Sequence, residues 1–263
     1  MTNRLRRKII VHGLIFLLLN LTVNALTSKQ EFPLQPVDRD RPFSLKVEEE
    51  IGQRCELRMT RIRGNSKIEK PPLVEANVLY YAEAVFGNPP KTYGLLVDLE
   101  GERRQIWVDA DGDRDFAEET SYEIFKSDRY PGLNVYYSPM PLRFVVTCHL
   151  ATEEYSIPVY FDLPFLIVAR AGYHDYLLLK TRTWLAGNLT LEGEEIPIAL
   201  VDMDFNGCFN DPQDLFFMDT DYDLNFASSE AVEIRNISKL RFKRGSYQAI
   251  SFSSVPKALT VTY

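Results

Sequence analysis

The sequence predicts an all-β protein, mostly antiparallel and sandwich-like, carrying three acidic loops. Three observations predict it. Short runs rich in Val, Ile, Tyr and Phe are broken repeatedly by Gly, Pro and Asn. Few windows keep helical spacing over the roughly 10 to 12 residues that a helix requires. A hairpin-like block also recurs later in the chain, and each copy runs into an Asp-rich stretch.

The strand-like runs fall at 74–86, 93–99, 105–108, 142–150, 157–163 and 176–184. Short helices are expected only near Glu48 and Ala227. In the repeat, Leu99-Glu100-Gly101-Glu102 precedes Ile106-Trp107-Val108 and an acidic loop from Asp109, while Leu191-Glu192-Gly193-Glu194 precedes Ile198-Ala199-Leu200 and a loop from Asp202. Each Glu-Gly pair is expected to make a hairpin turn, and each second hairpin strand then delivers the chain into its loop. This duplication divides the chain into residues 43–150, with the first loop, and 151–263, with the other two. A single split sandwich is the competing arrangement.

Residues 1–25 read as a secretion signal. Arg4, Arg6, Arg7 and Lys8 precede an apolar run from Ile9 to Leu19, and Val23-Asn24-Ala25 offers small residues for cleavage. The run is shorter than the roughly 20 residues a bilayer span needs, and no later segment could span one. Residues 26–42, with Pro33, Pro36 and Pro42, read as a linker. Removing residues 1–25 takes away four positive charges and no negative ones, so the net charge falls from −7 to −11. That acidity excludes a nucleic-acid partner, because phosphates need a basic surface. Cys55, Cys148 and Cys208 permit one bridge outside the cytoplasm; Cys55–Cys148 is one possible pair, but spacing does not establish it.

The acidic loops share a template. They are Asp109-Ala110-Asp111-Gly112-Asp113-Arg114-Asp115-Phe116, Asp202-Met203-Asp204-Phe205-Asn206-Gly207-Cys208-Phe209 and Asp219-Thr220-Asp221-Tyr222-Asp223-Leu224-Asn225-Phe226. Oxygen-bearing side chains stand at loop positions 1, 3 and 5, and Phe stands at position 8. In a tight loop alternate side chains turn inward, so positions 1, 3 and 5 converge on one point, as a hard cation taking six to eight oxygens requires. Position 7 is expected to offer its carbonyl, and the Phe to anchor the loop in the core. Glu230 at position 12 of the third loop supplies a closing carboxylate. In the second loop Asp211 and Asp214 are available, with Asp211 the expected ligand. In the first, Glu118 and Glu119 are available, with Glu118 expected.

These residues resemble the calcium loops of EF-hands, dockerins and thrombospondin-type repeats over about a dozen residues each. The run 201–226 also resembles tandem Asp/Asn-Gly loops in β domains of exported bacterial proteins. The resemblance implies calcium held by Asp109, Asp111, Asp113, Asp115, Glu118, Asp202, Asp204, Asn206, Asp211, Asp219, Asp221, Asp223, Asn225 and Glu230. It departs at position 6, where Arg114 and Leu224 replace the usual Gly, and strands rather than helices lead into the loops. Solvated acidic turns are the competing reading, since Asp and Asn are common turn formers. Charge weighs against that reading. The three loops, over 109–120, 202–214 and 219–230, carry −5, −4 and −4, more than the whole charge of the mature chain.

Catalytic motifs are scarce. His149 reads as a partly exposed strand residue, and His174-Asp175 as a surface loop with no nucleophile elbow to serve. Tyr80-Tyr81 and Tyr136-Tyr137 should each turn one ring outward. The expectation is an exported, calcium-stabilised β module with a structural or binding role toward a protein or carbohydrate ligand. The alternative is an extracellular hydrolase with structural calcium.

Overall fold

The structure is a computed structural model describing residues 29–37, 54–63, 68, 74, 78–150, 153–169, 174–191, 193–239, 249–252 and 258–262. The expected signal segment and the region near Glu48 lie outside the described residues. The strands begin with β1 (Lys29–Pro33), β2 (Gln35–Val37), β3 (Arg54–Arg58), β4 (Thr60–Arg63), β5 (Val78–Phe86), β6 (Lys91–Asp98) and β7 (Gln105–Val108). There follow β8 (Ser121–Glu123), β9 (Phe125–Lys126), β10 (Asn134–Tyr137), β11 (Leu142–Leu150), β12 (Glu153–Val168) and β13 (Tyr176–Thr181). The last are β14 (Trp184–Leu191), β15 (Glu194–Val201), β16 (Leu215–Met218), β17 (Ala231–Glu233), β18 (Ala249–Phe252) and β19 (Ala258–Thr262).

Among the described residues the strands pair antiparallel, with one isolated parallel bridge between Asn88 and Cys148, and the sandwich-like all-β expectation holds. Two five-stranded sheets run β4-β5-β6-β7-β8 and β17-β16-β15-β14-β2. A six-stranded sheet runs β3-β13-β12-β10-β9 with β11 paired to β12, and β1-β19-β18 form a small fourth sheet. Two strands, β1 and β2, arise within the stretch read as a linker; Pro36 sits opposite Leu185 on β2, an edge strand, where a missing N–H is tolerated. The run at 176–184 divides between two sheets. The chain turns a corner there: Arg182 N–H donates to the Tyr160 carbonyl at 2.9 Å, and Tyr160 N–H donates to Thr183 Oγ1 at 2.6 Å. The helix expected near Ala227 is a single 3-10 turn, Ser228–Glu230.

Both expected hairpins form. In the first, β6 pairs with β7, and Asp98 caps the turn by accepting the N–H groups of Glu100 (2.8 Å) and Gly101 (3.0 Å). In the second, β14 pairs with β15, and Gly193 at the turn has φ +87°.

Alternation on these strands buries one continuous cluster in which Phe86 stacks on Phe161 at 4.8 Å and Phe144 meets both rings edge-on. It draws on residues before and after 150, and the β11–β12 hairpin crosses that point. The bridge is Cys148–Cys208, with Cα atoms 6.0 Å apart, and Cys55 is a free thiol. Both bridged residues are buried, which brings β11 against the second acidic loop.

Candidate metal centres

Each acidic loop joins two neighbouring antiparallel strands: the first links β7 to β8, the second β15 to β16, and the third β16 to β17. The cross-strand pairs that close them are Trp107↔Ser121, Val201↔Leu215 and Phe217↔Ala231, each fourteen residues apart in sequence. The loops are therefore one structural unit used three times.

The same hydrogen-bond frame builds all three. At position 1, an aspartate accepts the N–H of position 6: Arg114 to Asp109 at 3.1 Å, Gly207 to Asp202 at 2.7 Å, and Leu224 to Asp219 at 3.1 Å. Side chains at positions 3 and 5 each accept the N–H two residues on, as in Asp111 from Asp113, Asp204 from Asn206, and Asp223 from Asn225. Asp115 continues the ladder in the first loop, accepting from Ala117 at 2.8 Å.

Positions 4 and 6 take left-handed backbone in every loop. The φ values are +73° and +71° for Gly112 and Arg114, +66° and +76° for Phe205 and Gly207, and +62° and +63° for Tyr222 and Leu224. Left-handed backbone at a side-chain-bearing residue costs about 1–2 kcal/mol, so Arg114, Phe205, Tyr222 and Leu224 hold strain that the frame sustains. A Cβ at Gly207 would lie 3.0 Å from Val146 side-chain atoms, so this turn needs glycine for space as well as for φ.

A carboxylate just before the return strand closes each frame by accepting the N–H of position 2. Glu119 accepts from Ala110 at 2.8 Å, Asp214 from Met203 at 2.9 Å, and Glu230 from Thr220 at 2.6 Å. Asp214 also accepts from Asp211 N–H, and Glu230 from Ala227 N–H. Counting from position 1 pointed to Glu118 and Asp211. Glu118 is exposed, and Asp211 accepts the Asn206 amide at 2.7 Å. The signal for Asp214 and Glu119 is their place one or two residues before the return strand.

Three groups of carboxylates result: Asp109, Asp111 and Asp113; Asp202, Asp204 and Asp214; Asp219, Asp221 and Glu230. In each, one oxygen per residue lies within 4.8 Å of the others. This all-oxygen donor set fits a hard divalent cation and gives a soft one no sulfur or imidazole. The anchors behave as the template requires. Phe116, Phe209 and Phe226 are all buried, and each packs in a different hydrophobic cluster: Phe116 with Trp107, Phe209 with the main core, Phe226 with Trp184.

Burial raises the proton affinity of four of these acids, Asp109, Glu119, Asp202 and Asp214. Burial first, then the charge of Asp214, pushes Asp202 well above the ordinary carboxylate range. Burial, then Asp211 and Asp204, pushes Asp214 to about 8. Glu119 rises to about 7 through burial and the charges of Asp109, Asp111 and Asp113. Asp109 is raised by burial against the opposing pull of four backbone N–H donors. Asp219 differs in kind: it is 1% exposed, and its Oδ1 has no hydrogen-bond partner.

Elsewhere, His149 Nε2 pairs with Glu154 across the β11–β12 hairpin at 3.2 Å, both half-exposed. Asp175 is committed to Arg61 and to Ala169 N–H, not to a catalytic base. Tyr136 turns inward and Tyr137 outward as alternation requires, whereas in the other pair both rings pack: Tyr80 is buried in the main core, and Tyr81, half-buried on the opposite face, meets Phe116 edge-on. No helix among the described residues is long and apolar enough to cross a membrane. Fold and sites together define an antiparallel β protein with three acidic groups placed to hold a metal ion. Comparison of the chain with protein-family models, curated proteins and solved structures found no match.

Proposed function

We propose that the protein is an exported calcium-binding β module with a structural or ligand-binding role. Its loops are EF-hand-like and dockerin-like in the spacing of their acids, but flanked by strands. The observation that carries this reading is one hydrogen-bond frame, used three times, that draws three carboxylates together and in the third loop leaves a buried carboxylate oxygen with no partner. Without a cation, such groups repel and are poorly solvated, so a bound cation stabilises the folded state by mass action. Calcium suits the hard oxygen set and the charge of these groups.

A binding role is favoured over hydrolysis by the six-stranded sheet. Its outer face holds a groove of about 340 Å³ lined by Tyr130, Leu133, Val135, Phe165, Ile167, Tyr176 and Leu178, with Arg54 and Glu56 at one side. Glu56 is the one carboxylate among those lining residues, whereas hydrolysis of a glycosidic bond ordinarily needs a pair. A protein or carbohydrate ligand suits a surface of this aromatic and apolar character.

The test is thermal unfolding of residues 26–263 with excess calcium and with chelator. Calcium is expected to raise the midpoint by several degrees. Superimposable transitions would sink the reading.

A further inference from the structure

Resting on the cation-binding reading above, we infer that the three loops are unequal and that the third is the primary calcium site, filled before the other two. The difference lies in what each position-1 aspartate already has. In the first loop, Asp109 Oδ1 accepts Asp113 N–H, and Oδ2 accepts Gly94 and Arg114 N–H. In the second, Asp202 Oδ1 accepts Asp204 and Phe205 N–H, and Oδ2 accepts Gly207 N–H. Every oxygen of these two carboxylates has a protein donor before any cation arrives. In the third, Leu224 N–H serves Asp219 Oδ2, while Oδ1 is buried and unserved.

A buried carboxylate oxygen that has lost water and gained no donor is the costliest group in the cluster. A cation that supplies the missing partner recovers that cost on binding. At the other two loops the position-1 oxygens already have donors, so the ion relieves charge there but supplies no missing partner. The loop that is worst satisfied alone therefore gains most from the ion, because affinity follows the difference between bound and free states.

Two further contacts work in the same direction. In the second loop the neutral Asn206 amide donates to Asp204 Oδ2 at 3.1 Å and Asp211 Oδ2 at 2.7 Å, so a protein group already bridges the acids. In the first loop the Lys91 ammonium donates to the Asp111 carbonyl, placing a positive charge beside the site.

The experiment is calorimetric titration of calcium into the chelator-treated 26–263 chain and its Asp109→Asn, Asp202→Asn and Asp219→Asn variants. The expected result is a tightest event weakened at least tenfold by Asp219→Asn and kept by the other two. Loss of that event in Asp109→Asn or Asp202→Asn, or its survival in Asp219→Asn, overturns the inference. No calcium uptake by the unaltered chain sinks the cation-binding reading itself.

Fluorescence gives an independent readout that does not depend on the aspartate variants folding. The chain has two tryptophans. Trp184 lies 6.3 Å from Phe226 of the third loop, and Trp107 clusters with Phe116 of the first. Single-tryptophan variants Trp107→Phe and Trp184→Phe should show Trp184 responding at lower calcium than Trp107. The reverse order overturns the inference.

Discussion

Glu230 accepts the Thr220 N–H at 2.6 Å, so the residue just before the return strand fastens the second residue of the loop it closes. Asp214 holds Met203 in the same way. This pairing distinguishes closing carboxylates from acids that merely stand nearby. Asp214→Asn should therefore cut calcium affinity at the second loop by on the order of tenfold, about 1.4 kcal/mol, whereas Asp211→Asn should change it little. Calorimetry on both variants checks the contrast, and equal losses would count against the closing role.

Stability of the calcium-free protein should fall as pH rises. Asp214 at about 8 and Glu119 at about 7 both lie above their ordinary values near 4. A carboxyl whose folded-state proton affinity is raised contributes stability fully at pH below its ordinary value, and that contribution is lost as pH rises through the folded value. Melting temperature in chelator should therefore decline between about pH 5 and about pH 9. Saturating calcium should flatten or reverse the trend, because the ion binds the ionised acids and releases their protons. A chelated protein more stable at the alkaline end would refute this.

Much of the fold was legible in the sequence, because alternation and turn residues act locally. The runs at 105–108 and 142–150 coincide with β7 and β11, and the Glu-Gly repeat marks two hairpins. Positions 1, 3 and 5 of the loops were legible for the same reason, since each side chain there bonds backbone two to five residues on. Of the closing carboxylates, Glu230 was legible from its place at position 12, but the choice of Glu119 and Asp214 over Glu118 and Asp211 was not. Closing carboxylates are placed by the strand that follows, so their count from position 1 drifts among Glu119, Asp214 and Glu230. The split of the run at 176–184 was hidden too, since the corner is held by Tyr160, over twenty residues away. Nor could spacing select Cys148–Cys208, which depends on the second loop docking against β11.

That docking has several components. Gly87 N–H donates to the Asn206 carbonyl at 2.6 Å, and Phe205 packs on Phe86 and Phe161. The disulfide adds a covalent tie across a sequence separation of 60. Restricting an unfolded loop of this size is worth roughly 2–4 kcal/mol. The double variant Cys148→Ala, Cys208→Ala should lose about that much in denaturant unfolding. The unaltered chain, unfolded without reductant, should titrate one thiol, that of Cys55. Three thiols would contradict the bridge.

Leu224 offers the cleanest measure of strain in the frame. It sits at φ +63° and is 72% exposed, so its side chain gains little from packing while its backbone holds a left-handed conformation. Glycine adopts that conformation freely and keeps the N–H that Asp219 Oδ2 accepts. Part of the gain is offset because glycine also frees the unfolded chain. The net expectation for Leu224→Gly is a rise of about 0.5–1 kcal/mol in stability without calcium. Gly207→Ala should do the opposite: it meets both the positive φ and the Val146 side chain, and should lose more than Leu224→Gly gains. Chemical denaturation of the two variants in chelator measures both signs. A stabilised Gly207→Ala would show that the loops do not hold the left-handed turns on which convergence of their acids depends.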